Sequence, residues 1–328
     1  MKISVVLAVY KGHNHLAVQL KSILDGSVLP DEIVVVDDCP EAPSKHVLDG
    51  LKPQMEGIDL HYFLQEVNTG PTVAFSRAVM ESSGEVIYFC DQDDFWFENK
   101  IEVLNSYFDD ASCLLVYSDA IITNENLELT DKSIFNTRKR ADLKKGQGRD
   151  KREFLSNPDI KGCMMAFRGD FARRAFGSAP KSFSAYWGHD HWLALLAYAN
   201  EGIQVCNDSL FLHRFHQNNT SSAVRFSILN FKILKRYWSR ARSESPNFVY
   251  NKFALLQSDD LSEHLNVFKE DIAFFINMES QRLLALKRPR VFRILKLLNL
   301  RDYYKNYRNG TASLLRDWLI TPVYKKEF

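Results

Sequence analysis

Apolar runs and mixed segments of helical spacing alternate along the N-terminal part of the chain. From Ile3 to Val9 the residues are almost continuously apolar, the pattern of a strand covered on both faces. After a short polar turn, Leu16, Leu20, Ile23 and Leu24 recur at helical spacing, and Leu29-Pro30-Asp31 ends that helix. A second strand, Glu32-Ile33-Val34-Val35-Val36, runs into Asp37-Asp38, and Pro40 and Pro43 exclude a long helix straight after it. Residues 60–64 read as a third strand, Asn68-Thr69-Gly70-Pro71 as a turn, and 73–80 as a helix closed by Gly84. Val86-Ile87-Tyr88-Phe89-Cys90 is the next buried strand. This alternation predicts an α/β fold with a largely parallel central sheet.

The strand at 86–90 stops abruptly at Asp91-Gln92-Asp93-Asp94. Ligands of parallel α/β sheets bind beyond the carboxyl ends of the strands, and carboxylates gathered there repel one another unless a cation lies between them. All-oxygen donors suit Mg²⁺ or Mn²⁺, which also take oxygens from a substrate phosphate. The plainer alternative makes Asp94 the cap of a helix through 98–101. No G-x-G-x-x-G follows the first strand and no G-x-x-x-x-G-K-[ST] occurs, so a dinucleotide site or an ATP P-loop has no sequence support.

Four segments in order, "SVVLAVYKGHNHL", "PDEIVVVDD", "NTGPTVAFSRAV" and "GEVIYFCDQDDFW", resemble the donor half of family 2 glycosyltransferases of the GT-A fold. The spelling D-Q-D-D-x-W is most similar to the bacterial rhamnosyltransferase-like branch that builds cell-surface polysaccharides. The resemblance resumes at "KGCMMAF" and "GHDHWLALLAYANEGIQVCNDSLFLHRFHQNNTS" and extends over residues 2–222. Where the family continues Asp-Asp with Gly-Ser, this chain has Cys39-Pro40-Glu41, which leaves the local turn and some base contacts open.

The resemblance implies roles for matching positions. Tyr10 and Asp38 would hold the nucleotide base and ribose, Asp91 would meet the ribose, and Asp93 would ligate a divalent cation, Mg²⁺ or Mn²⁺, on the diphosphate. Asp94 either binds that metal through water or orients the donor sugar. Arg77 would reach a sugar or phosphate oxygen, with a solvated surface arginine as its alternative. In Gly188-His189-Asp190-His191-Trp192, ahead of an apolar helical stretch, Asp190 matches the base that deprotonates the acceptor hydroxyl in an inverting transfer. Arg214 would face the diphosphate and His216 would complete the metal shell, just beyond a strand expected at 208–212. The implied donor is a nucleotide sugar such as dTDP-rhamnose, and the implied acceptor is lipid-linked or a growing polysaccharide. A sugar-nucleotide pyrophosphorylase is the alternative enzyme, but Tyr10-Lys11-Gly12-His13 is poor in glycine for its loop. A non-catalytic nucleotide-sugar-binding subunit is the alternative outside catalysis.

Composition narrows the picture further. The 328 residues, 45% hydrophobic, suffice for a full α/β core and one more region. The five cysteines form no C-x-x-C, which fits reduced thiols and a cytoplasmic setting. The first strand begins at residue 3, leaving no room for a signal peptide, and no apolar run is long enough for a membrane span. The net charge of +1 hides an asymmetry: residues 225–328 carry 20 Lys and Arg against 10 Asp and Glu, and residues 1–224 carry 22 against 31. The expected organisation is a GT-A catalytic domain at 1–222, its donor half at about 1–120 and its acceptor half at about 121–222, then a basic helical region at 223–328. Stretches 226–238 and 289–307 look amphipathic, which suggests peripheral contact with the inner face of a membrane, or helices that pack on the catalytic domain or form a homodimer. The basic stretch from Arg138 to Arg152 reads as a mobile loop. No nucleic-acid-reading motif is present.

Overall fold

The computed structural model describes residues 1–12, 15–137, 141–216, 247–257, 264–307 and 311–319. Chain contacts divide it into two compact units, Met1–Arg149 with Pro158–Thr220, and Asp150–Asn157 with Ser221–Phe328.

The first unit is built on a nine-stranded sheet of order β3-β2-β1-β4-β8-β6-β9-β5, with β7 added on β6. Strands β1 (Ile3–Val9), β2 (Glu32–Asp37), β3 (Asp59–Leu64) and β4 (Val86–Cys90) run parallel. β1, β2 and β4 are buried almost throughout, as their unbroken apolar runs require, whereas β3 lies at the sheet edge and stays half exposed. Helices α1 (Leu16–Leu24), α2 (Lys45–Leu51) and α3 (Pro71–Glu81) make the crossovers. Beyond β4 the sheet becomes mixed. β8 (Met165–Arg168) is antiparallel to both β4 and β6 (Leu115–Thr123), whereas β9 (Ile203–Arg214) is parallel to β6. The strand expected at 208–212 therefore extends well to either side. β5 (Phe95–Trp96) pairs antiparallel with the end of β9, and β7 (Leu129–Ser133) with β6. Helices α4 (Lys100–Ser106), α6 (Gly169–Gly177) and α7 (His189–Ala199) complete the unit.

One carboxylate at the far end of the sheet has a structural task. Glu32 is buried and accepts hydrogen bonds from the Ser4 hydroxyl, the Ser83 backbone N–H (2.5 Å) and hydroxyl (2.8 Å), and the Gly84 N–H (3.1 Å). It ties β1 and β2 to the turn that opens β4.

The second unit contains α5 (Lys151–Ser156), α8 (Phe248–Ala254), α9 (Lys269–Leu286), α10 (Arg290–Leu298), α11 (Arg301–Tyr307) and α12 (Thr311–Leu319). Within the basic stretch read as a mobile loop, residues Ala141–Gly148 of the first unit form 3-10 turns kinked at Gly146, and Asp150 caps α5 by accepting from the Arg152 and Glu153 N–H groups. Arg152 pairs with Asp271 at 2.8 Å and lies over the Phe274 ring. Of the two amphipathic stretches, 289–307 folds as α10 and α11, whereas 226–238 lies outside the described residues.

At the centre of this unit Arg282 is buried between Glu279 (2.9 Å) and Asp317 (2.6 Å). Tyr303 and Tyr304 donate hydroxyl hydrogen bonds to those two carboxylates, each at 2.5 Å. Removing the cation leaves two buried carboxylates without their counter-charge. Arg282→Met should therefore lower stability by about 3–5 kcal/mol. Chemical denaturation of the full chain checks this, and a loss below about 1 kcal/mol would show that the network contributes little.

Candidate active site

The parallel strands β1, β2 and β4 all end on one side of the sheet, and the acidic residues expected there follow β4 directly. Asp91, Asp93 and Asp94 bring carboxylate oxygens within 4.8 Å of one another. Asp94 is fully buried and caps no helix, since Asn99 occupies the position before α4. The β5–β9 ladder explains what faces it. Phe95 pairs with Leu212 and Trp96 with Phe211, so one step along, Asp94 stands opposite His213. Asp94 Oδ1 lies 2.9 Å from His213 Nδ1 and accepts from the Arg214 backbone N–H at 3.2 Å, while its Oδ2 has no hydrogen-bond partner among the described residues. Lys161 Nζ stands 2.9 Å from the other nitrogen of that imidazole. His216 Nε2 reaches Asp93 Oδ2 at 2.7 Å, and the His15 ring lies against His216.

Electrostatics divide the three acids. Burial together with the charges of Asp94 and Asp93 pushes the Asp91 carboxyl up to about 7. Asp93 is also raised, by burial and then by Asp94, although His216 pulls it back. For Asp94, burial works the same way but is outweighed by His213, Lys100 and the Arg214 N–H, so it stays ionised. Lys100 is entirely buried, lies 4.0 Å from the centres of both the Trp96 and Phe211 rings, and donates to the Cys163 carbonyl at 2.8 Å. Desolvation pushes its pKa down to about 8. Three crowded carboxylates, one with an unpartnered buried oxygen and two with raised pKa values, suit a hard divalent cation, whose charge would relieve their repulsion.

Tyr10 is joined to this cluster through a residue that sequence reasoning passed over. The Gln92 amide accepts from the Tyr10 N–H and donates to the Tyr10 carbonyl, each at 2.9 Å, and leaves the Tyr10 ring at the surface. Asp38 is buried, and its carboxylate holds the turn after β3: it accepts from the Thr69 N–H (2.7 Å) and hydroxyl (2.9 Å) and from the Gly70 N–H (2.7 Å). Asp37 plays the matching part for the Cys39-Pro40-Glu41 departure, accepting from the Cys39 and Ser44 N–H groups and the Tyr62 hydroxyl. Arg77 stands with this turn and not with the acidic cluster. It donates to Gln65, whose amide donates to Thr69, and it lies over the Phe63 ring. The Arg214 guanidinium donates to the main-chain carbonyls of Asp93 (2.7 Å) and Glu125 (2.6 Å), so these bonds brace the acidic loop.

Asp190 lies in the first turn of α7, as its apolar continuation predicts, and accepts from the His191 N–H at 2.8 Å. Burial would raise its pKa, but His191, His189 and that N–H outweigh it and keep the carboxyl below its usual range. His189 stacks on Phe75 and meets Phe89, the residue two before Asp91, edge-on at 5.0 Å. Burial, with His191 nearby, keeps its imidazole neutral despite Asp190. Two glycines leave room for this turn. A Cβ at Gly188 would come within 2.6 Å of Asp190 Oδ1, and one at Gly162 within 2.9 Å of His189 Nε2.

Residues 4–176 match the family model described as glycosyl transferase family 2. The chain belongs to this family. Its curated relatives include the Bacillus subtilis glycosyltransferase TuaG, named for teichuronic acid biosynthesis, 29% identical over 118 residues, and the Bacillus subtilis glycosyltransferase YwdF, 33% identical over 124. These matches take in 35% and 38% of the chain but only 45% and 44% of the relatives, so it spans under half the length of either. Among solved structures, Staphylococcus aureus TarS 1–349 in complex with UDP-GlcNAc aligns with a TM-score of 0.52 at 16% identity, covering 94% of this chain and 82% of that one. The mannosyltransferase PcManGT of Pyrobaculum calidifontis in complex with GDP-Man and Mn²⁺ aligns with a TM-score of 0.54 at 14% identity, over 96% and 85%. At these identities the likeness shows the fold, the GT-A-like α/β architecture that the motif order implies.

Proposed function

We propose that this chain is a metal-dependent, inverting glycosyltransferase that uses a nucleotide-sugar donor, with dTDP-rhamnose as the donor and a lipid-linked or growing surface polysaccharide as the acceptor. The observation that carries the reading is the cluster of Asp91, Asp93 and Asp94 at the end of β4. Asp93 and His216 would hold Mg²⁺ or Mn²⁺, which supplies positive charge to the donor diphosphate as it leaves. Asp91 and the exposed Tyr10 ring would receive the ribose and base. Asp38 and Arg77 would serve that pocket by setting the turn at 68–70, and Arg214 would do so by bracing the Asp93 main chain. Asp94, oriented by His213, would offer Oδ2 to the donor sugar or to a metal-bound water. Asp190 would take the proton of the acceptor hydroxyl as its oxygen bonds to the anomeric carbon and the bond to the diphosphate breaks on the opposite face. The basic C-terminal region would keep the enzyme at the inner face of a membrane, where a lipid-linked acceptor is presented.

Rhamnose rests on the D-Q-D-D and H-D-H-W spellings. The neighbours' complexes with UDP-GlcNAc and GDP-Man make other donors the competing reading. Side-by-side assays of turnover with dTDP-rhamnose, UDP-glucose, UDP-galactose, UDP-GlcNAc and GDP-mannose decide it. dTDP-rhamnose should be consumed fastest, and a clear preference for another donor rules rhamnose out. No turnover with any donor that calorimetry shows to bind would favour the non-catalytic subunit.

A further inference from the structure

Helix α10 is amphipathic, but it packs the opposite way to an ordinary surface helix. Its buried side is led by Arg293 and Leu297, and the Arg293 guanidinium donates to the Arg288 carbonyl at 3.1 Å and to the last-turn carbonyls of α12, at Asp317 and Trp318, at 3.4 Å. A cation is favourable at a helix C-terminus, so this anchoring fixes which face of α10 turns inward. The face left outside is apolar: Val291 is 75% exposed, Phe292 60%, Leu295 63% and Leu298 47%. At 3.6 residues per turn these four side chains occupy an arc of roughly 120°. Clusters of exposed large apolar residues mark interaction surfaces.

The charge around this face selects the occupant. Exposed Lys287 and Arg288 precede the helix, Lys296 borders the apolar arc, and Arg301 and Lys305 follow it. Asp302 is the exposed acid among the described side chains of residues 287–305. No described helix is long and apolar enough to cross a membrane. An apolar arc edged by cations on a short helix fits a surface that is anionic outside and apolar just beneath, as a phospholipid leaflet is.

We infer that α10 is a membrane-docking element, which lays Val291, Phe292, Leu295 and Leu298 into the headgroup region of an anionic bilayer while the surrounding lysines and arginines meet lipid phosphates. The inference rests on the membrane location proposed above and assigns it to one face. Co-sedimentation of the full chain with vesicles tests it. Wild type should pellet with phosphatidylcholine–phosphatidylglycerol vesicles at low salt, release as salt rises, and stay in solution with phosphatidylcholine alone. Phe292→Asp/Leu295→Asp should lower the partition coefficient on the order of tenfold or more, with helical content and melting temperature unchanged because neither residue is packed. Lys287→Glu/Arg288→Glu/Lys296→Glu should weaken binding and flatten its salt dependence. If wild type and the apolar variant both pellet, α10 is not the contact, although the membrane location stands. If neither pellets, both fail. Equal binding to neutral vesicles overturns the anionic surface. A wild-type dimer that the apolar variant converts to monomer, by light scattering, would instead make this face a contact between two copies.

Discussion

Asp93→Asn should abolish transfer, with a loss on the order of 10³-fold. The substitution keeps the side chain's size and an oxygen that can still accept from His216, now 2.7 Å from the carboxylate. What disappears is one negative charge among three carboxylates crowded within 4.8 Å. Donor binding measured by calorimetry should therefore weaken only when Mg²⁺ or Mn²⁺ is present. Burial and Asp94 already disfavour the Asp93 charge in the folded protein, so in EDTA the melting temperature of the variant should equal or exceed that of wild type. Chelation should also bring the wild-type rate down to that of the variant, and added Mg²⁺ or Mn²⁺ should restore it. Full wild-type activity in excess EDTA would remove the metal from the mechanism.

Asp190→Asn should reduce kcat by about 10²–10⁴-fold and leave donor affinity near wild type. Asparagine can still accept from the His191 N–H, so the first turn of α7 keeps its local bond, while the carboxylate proposed to accept the proton is lost. With His191, His189 and the N–H holding that carboxyl below its usual range, it is already ionised at neutral pH and ready to accept a proton. A purely structural role would raise KM or lower the melting temperature without this selective loss of kcat. Near-normal turnover would move the base to another group, with His189 or His191 next to test. NMR of the transferred sugar should show an inverted anomeric centre, and retention would exclude direct displacement assisted by Asp190.

The parts of the site that were legible in the sequence lie within single elements. Asp91, Asp93 and Asp94 stand out because a buried parallel strand shows an unbroken apolar run, and its abrupt acidic end marks the ligand side of the sheet. Asp190 is legible because the apolar continuation of α7 leaves its first turn as the polar part. Asp38, Arg77 and Arg214 make hydrogen bonds that no local pattern reveals: Asp38 to the N–H groups of Thr69 and Gly70, Arg77 to the Gln65 side chain, and Arg214 to the main-chain carbonyls of Asp93 and Glu125. Gln92, Lys161 and Lys100 gave little or no signal, and the His213 imidazole stood out beyond its strand without any sign that it pairs with Asp94. A buried lysine between two rings reads, in sequence, like any charge on a helix.

Periodicity and strand-end chemistry thus determined the α/β class, the parallel first half of the sheet and the position of its acidic edge, because burial on both faces imposes its pattern residue by residue. Tertiary structure decided the mixed second half of the sheet, for which neighbouring strands carry no local mark of their pairing. It also decided the company of the acids: Asp94 and His213 are 119 positions apart and meet only because the two-residue β5 pairs with the end of β9. The outward face of α10 was decided in the same way. Its amphipathic spacing is plain in the sequence, but spacing alone predicts that the arc of Val291, Phe292, Leu295 and Leu298 turns inward. The anchoring of Arg293 on the carbonyl end of α12, with Leu297 buried beside it, turns that arc out.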